Sequence, residues 1–296
     1  MFAIIGFVVV LGAVAGGYMM EHGKFGVLLQ PAELLIIGGA ALGTLLIANP
    51  LAIIKKIVHG LIGVLKGSKY DKAAYVTTLK MLNELFMFAR KNGTVQLEEE
   101  IENPEKSKVF SKYPQFLGNH HAAAFVCDTL RMSISGGVSP FDLDQVMELD
   151  MEVHHMESAV PVASLTTVAD ALPGLGIVAA VLGVVITMGA LGGPPEEIGH
   201  KVAAALVGTF LGILLCYGFL GPLASNLSKI NDAEADYLRC LRAGVIAYLK
   251  GSAPVLAVEF ARRSIPSELR PTFKELEAAC RGGATAAAAA PAEEKK

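Results

Sequence analysis

The stretches ALPGLGIVAAVLGVVITMGALGGPP (residues 171–195) and VAAALVGTFLGILLCYGFLGPLASNLS (residues 202–228) contain no Asp, Glu, Lys, Arg or His. Residues 1–20 and 34–54 share that property. A helix that crosses the hydrocarbon core needs about 20 apolar residues at about 1.5 Å rise each, and all four stretches are long enough. The reading is an all-α membrane protein with four transmembrane helices. Proteins that move protons or ions place an ionisable group at membrane depth. None is expected within these four stretches, so the chain either moves no charge or takes that group from a partner.

The 296 residues are 53% hydrophobic, with no Trp and a net charge of -3, so no basic field points to nucleic acid. Mean hydropathy is +0.50, which fits spans joined to sizeable polar parts. Cys127, Cys216, Cys240 and Cys280 form no C-x-x-C pair and read as reduced, small apolar side chains. The first stretch lacks a positively charged start, and Gly16-Gly17-Tyr18 makes a poor cleavage site, so it reads as a retained span rather than a signal peptide.

Orientation follows from the cations. Residues 51–170 hold 12 Lys and Arg, and residues 229–296 hold 11 of the total of 25. Lys55, Lys56, Lys66 and Lys69, just after the second span, put the large loop and both termini on the cytoplasmic side. The expected organisation is spans 1 and 2 in residues 1–54, with an outer loop near 21–33. A helical cytoplasmic domain follows in 55–169. Spans 3 and 4 occupy 170–224, with an outer loop near 191–200. A helical cytoplasmic tail covers 225–281, and 282–296 is alanine-rich and disordered.

Within the large loop, apolar spacing predicts a helix from Asp71 to Asn92, stopped by Gly93. Thr94 is expected to cap a short acidic helix ending before Pro104. A second long helix is expected from about Phe116 to Ser135. Ser139-Pro140 then supplies a cap and first-turn proline for a helix running towards the third span. The tail reads as helices near Leu227–Lys250, Val255–Ser264 and Thr272–Arg281, and no strand is expected.

Gly12/Gly16, Gly39/Gly43 and Gly208/Gly212 are G-x-x-x-G pairs, and Gly174, Gly176, Ala180 and Gly183 line the third span. Small faces let helices approach closely, either inside one bundle or between copies. Thr209 admits two readings: a back-bond to its own helix, or a hydroxyl facing a partner. Pro173 and Pro222 are either a first-turn proline and a helix terminator, or paired hinge points at one depth. Arg90-Lys91 and Glu98-Glu99-Glu100 flank a turn, as a solvated face or as a surface for a partner of opposite charge. His120-His121 and His154-His155 lack i, i+4 metal spacing. No phosphate loop, nucleophile elbow or zinc motif supports an enzyme, and no cofactor is expected.

The chain resembles the MotA family of flagellar motor stator proteins, within the MotA/TolQ/ExbB superfamily. The resemblance rests on Gln30-Pro31-Ala32-Glu33, Ile101-Glu102-Asn103-Pro104, Leu172-Pro173 with Gly176-Ile177-Val178-Ala179-Ala180, Val207 through Leu215, Tyr217-Gly218-Phe219, Pro222-Leu223-Ala224 and Ala257-Val258-Glu259-Phe260. It implies a pentameric ring around a MotB-like dimer, whose single spans supply a proton-binding aspartate, and torque applied to the rotor protein FliG. It also implies that Thr209, Ala180 and Tyr217 line the ion pathway and that Pro173 and Pro222 couple conformation. Arg90 and Glu98 correspond to its rotor-contacting charges. Alanine at position 180, where sodium-driven relatives carry threonine, implies a proton-driven type. An ExbB/TolQ-type energy-coupling subunit, or a scaffold without ion flux, is the alternative.

Overall fold

A computed structural model describes residues 2–189 and 192–280, so the expected disorder of 282–296 lies outside the described residues. The described residues are overwhelmingly helical and contain no strand. Four helices are long and apolar enough to cross a membrane: Phe2–Met20, Phe25–Ala48, Pro140–Met188 and Pro195–Leu249. The chain divides into two compact units, Met1–Ser68 with Met156–Asn231 and Lys69–His155 with Asp232–Lys296.

In the span-bearing unit, the second span settles into a regular helix at Pro31, whose ring suits the first helical turn. It ends at Ala48, short of the uncharged stretch's end at Ile54. The cause is Pro50, which holds Asn49 in an extended conformation. A separate amphipathic helix, Leu51–Lys66, follows and buries Ile57 and Val64. The unit's core gathers Ile37 and Ala41 of the second span, Leu172 and Ala179 of the third, and Cys216 of the fourth.

The fourth span is not terminated at Pro222. It continues through a π-helical turn, Leu215–Leu220, into Gly221–Leu249, so the separate tail helix expected from Leu227 is its continuation. Pro173 is likewise no first-turn residue, because it sits deep inside Pro140–Met188. That helix is capped as expected: the Asp142 amide donates to Ser139 Oγ at 3.2 Å, and Ser139 Oγ donates to Asp142 Oδ2 at 2.7 Å.

The other unit is organised on Lys72–Asn92, where Ala74 N donates to Asp71 Oδ1 at 2.7 Å and Tyr75, Leu79, Leu82, Leu85 and Phe86 are fully buried. Phe86 stacks on Tyr248 at 4.4 Å, and the Thr78 and Tyr237 hydroxyls share a buried hydrogen bond of 2.8 Å. Gly118-Asn119 interrupts the helix expected from Phe116. Pro114–Leu117 makes its own turn, and the Asn119 side chain caps His120–Ser135 by accepting from Ala122 N. In the tail, Pro254–Ser264 and Phe273–Cys280 match the expected short helices.

Candidate functional site

The third and fourth spans touch through glycine. A Cβ added to Gly176 would lie 2.7 Å from the Gly208 carbonyl oxygen and 3.1 Å from Gly212 Cα; one added to Gly212 would lie 2.5 Å from the Leu172 carbonyl oxygen. Gly183 approaches Ala205 in the same way. By contrast, nothing lies within 4 Å of a Cβ on Gly12, Gly16, Gly39, Gly43 or Gly174. One set of small residues is therefore spent inside the bundle, and the other faces open space.

Ala180 and Thr209 both border this seam, and a Cβ on Gly176 would lie 3.3 Å from Thr209 Cα. A Cβ on Gly208, the neighbour of Thr209, would lie 3.2 Å from Ala180 N. Thr44 and Thr187 spend their hydroxyls on their own helices, at 2.8 Å to the carbonyls of Ala41 and Gly183. Thr209 makes no such bond among the described residues. Tyr217 lies eight residues beyond Thr209 in the π turn and is 71% exposed. Pro173 follows Leu172, whose carbonyl faces Gly212, and Pro222 follows the π turn.

The expectation that the spans carry no ionisable group needs correction. Glu33, placed in an outer loop by sequence, sits in the first turn of Pro31–Ala48, is only 7% exposed, and directs Oε2 at Gly208. An acid three residues into a helix reads as a solvated, dipole-favoured charge. Nothing local signals the glycine that makes room for it.

In the other unit, Gly93 takes φ +84°, a backbone region that favours glycine, and turns the chain between Lys72–Asn92 and Thr94–Glu102. Thr94 is the first helical residue rather than a cap, because Gly93 occupies the capping position. Arg90 and Glu98 lie exposed on either side of this turn, and neither forms an ion pair among the described residues. Burial pushes the Tyr248 phenol up, and the positive charge of Arg90 partly offsets that shift.

Two further groups escaped the sequence reading. Glu100 does not belong to the solvated acidic face: it is buried, and accepts from Ser107 Oγ and from Val109 N at 3.3 Å. Its position three residues after the buried Leu97 was the available signal. The histidine pairs act across helices, with His121 stacked on His154 at 3.9 Å and His154 Nε2 lying 3.5 Å from Glu234 Oε2. Burial pushes the Glu234 carboxyl up, but the hydrogen bonds from His154 and Tyr70 outweigh it and hold the group low.

Four apolar spans with a glycine seam, joined to a helical unit bearing unpaired charges, define a membrane channel subunit with a large polar domain. Residues 118–239 match the MotA/TolQ/ExbB proton channel family, and residues 4–93 match the family described as motility protein A N-terminal. Motility protein A of Escherichia coli K12 is 43% identical over 277 residues, covering 94% of each chain. Chemotaxis protein LafT of Vibrio parahaemolyticus is 39% identical, covering 92% of this chain and 96% of its own. The flagellar MotAB stator complex from Bacillus subtilis is similar with a TM-score of 0.73 and 25% identity, over 90% of this chain and 96% of that one. C. jejuni MotAB, at TM-score 0.75 and 18% identity, shares the fold over 92% and 98% of the two chains. The chain belongs to the motility protein A family of flagellar stator proton-channel subunits. An energiser of the ExbB/TolQ type is not favoured.

Proposed function

We propose that this multi-pass protein forms a pentameric ring around a dimeric, MotB-like subunit, and that the partner's single-span aspartate takes up protons at the seam of Ala180 and Thr209. The observation that carries this reading is the chemistry of the seam itself. Residues 171–189 and 202–228 supply glycine, alkyl groups and a few hydroxyls, but no Asp, Glu, Lys, Arg or His. The Glu33 carboxyl reaches Gly208 only from the first turn of the second span. The solved relatives named MotAB are consistent with a second subunit that supplies the acid. The open glycine faces of the first and second spans offer contact surface for further copies of the chain.

In this mechanism, protonation neutralises the partner aspartate and removes its cost at membrane depth, about 2.5–3.5 kcal/mol on insertion scales. The ring then steps relative to the partner, with Pro173 and Pro222 coupling the seam to the polar unit. Arg90 and Glu98 engage the rotor protein FliG, and both termini with the polar unit face the cytoplasm. One charge crossing 100 mV releases about 2.3 kcal/mol, so torque accumulates over many small steps. Alanine at position 180 favours protons over sodium, because a dehydrated sodium ion needs several oxygen ligands and a methyl group offers none.

The test is co-expression with a single-span, aspartate-bearing partner, followed by proton flux and by motor speed against sodium at fixed proton-motive force. Flux that needs both subunits and is indifferent to sodium is expected. Strict sodium dependence, or motor-rate flux from this chain alone, overturns the reading.

A further inference from the structure

We propose that Glu33 is a second proton-holding group of the conduction route, a relay carboxyl on the outer side of the seam that passes protons to the partner's acid. The inference rests on the stator reading above and extends it to a residue of this chain. An acid at this helical position normally accepts hydrogen bonds from amides of the first turn or stays in water. Glu33 does neither: it is 7% exposed, and its buried Oε2 has no hydrogen-bond partner among the described residues. The side chain is spent instead on the fourth span. A Cβ added to Gly208 would lie 2.6 Å from Glu33 Oε2, 3.1 Å from Ala179 Cβ and 3.2 Å from Ala180 N. The carboxyl oxygen thus fills the side-chain position that Gly208 leaves empty, next to Ala180 and Thr209.

Gly208 lies about 9 Å along the helix from the start of the uncharged stretch at Val202, so the carboxyl reaches inward from the loop. The charges of the fourth span are separated from it along the helix axis. Glu196, Glu197, His200 and Lys201 precede Gly208 by seven or more residues, at least about 10 Å along the axis, and Lys201 is held by Glu197 at 2.9 Å. Residues 171–189 of the third span carry no charge. A carboxylate left there without a partner costs several kcal/mol, whereas the protonated acid is far cheaper and can donate its proton. The step balances simply: the carboxylate takes a proton from outer water, releases it to the deprotonated partner acid, and returns to the carboxylate.

The test uses the complete complex with its partner in proteoliposomes, measuring proton flux against outer pH for the wild type, E33Q and E33D. E33Q is expected to cut flux about tenfold or more and to flatten its dependence on outer pH. E33D keeps an acid on a shorter arm and should retain that dependence with a displaced midpoint. E33Q that matches the wild type in flux and profile overturns the inference while leaving the stator reading intact. A wild-type complex that fails to conduct sinks the stator reading itself. Should E33Q fail to assemble, E33D carries the test alone, and an unchanged midpoint overturns the proposal because a purely structural acid would not move it.

Discussion

Replacing Gly212 by alanine probes the seam directly. The added methyl carbon would lie 2.5 Å from the Leu172 carbonyl oxygen, 2.9 Å from Gly176 Cα and 3.2 Å from Gly176 N, where ordinary contact begins at 3.4 Å. All three neighbours are backbone atoms of a helix, so no side-chain rotation relieves the clash. The helices must part by about 0.9 Å at this point. Overpacking of this kind costs about 1–3 kcal/mol, and in a bilayer no hydrophobic drive returns the helices to contact.

The expected result is a lower unfolding temperature for the purified protein in lipid nanodiscs. Motor speed should also fall, because Ala180 and Thr209 sit on the same contact. Gly39→Ala is the control: nothing lies within 4 Å of its Cβ, so the stability of a single copy should not fall. G212A with wild-type unfolding and wild-type speed would refute the claim that close backbone approach builds the seam.

Two further outcomes follow from the polar unit. Arg90→Glu and Glu98→Lys should each lower torque, read as tethered-cell rotation under load, while shifting stability by no more than about 0.5 kcal/mol, since both are exposed and unpaired; unchanged torque removes them from the rotor contact. Glu259 accepts from Arg262 Nε and Nη2 at 2.7 Å and from Arg263 Nε at 2.9 Å, and these bonds, Arg262's first, hold its carboxyl at about 2 against a usual 4.5. A depressed carboxylate lends its stability above the unfolded value and loses it as pH falls towards the folded one. Wild-type unfolding should therefore weaken between about pH 4.5 and 2 by more than E259Q does; parallel acid curves contradict the assignment.

The spans were legible because charge is expensive in lipid, and its absence over some 20 residues is a one-dimensional signal. Their ends were not. Pro50 ends a helix at Ala48, six residues short of Ile54, through its neighbour's backbone, while Pro222, the same residue type, leaves its helix unbroken. Pro222 is preceded by the π turn Leu215–Leu220, which has no mark in composition. Charged residues were misread where partners lie far along the chain. Glu33 depends on Gly208, and Glu100 on Ser107 with Val109, so each looked solvated beside its immediate neighbours. Arg90 and Glu98 needed no distant partner, and their exposure agrees with the pattern around Gly93.

The two prolines acquire a specific physical sense from helix continuity. A proline inside a helix removes one amide and leaves the carbonyl four residues earlier without its bond, here Ala169 for Pro173 and Gly218 for Pro222. Both helices nevertheless remain continuous, from Pro140 to Met188 and from Pro195 to Leu249. A broken helix would let each side move alone, and a perfect one would resist bending. A continuous helix with a local defect does neither: it bends at a defined place and still carries displacement along its axis. In the proposed mechanism, the seam at Gly176, Gly208 and Gly212 receives the push, because its backbones have no slack to absorb it. The defects at Pro173 and Pro222 then set where the bend falls. Proline-to-alanine changes at these positions should stiffen the helices, and so reduce speed more than they reduce stability.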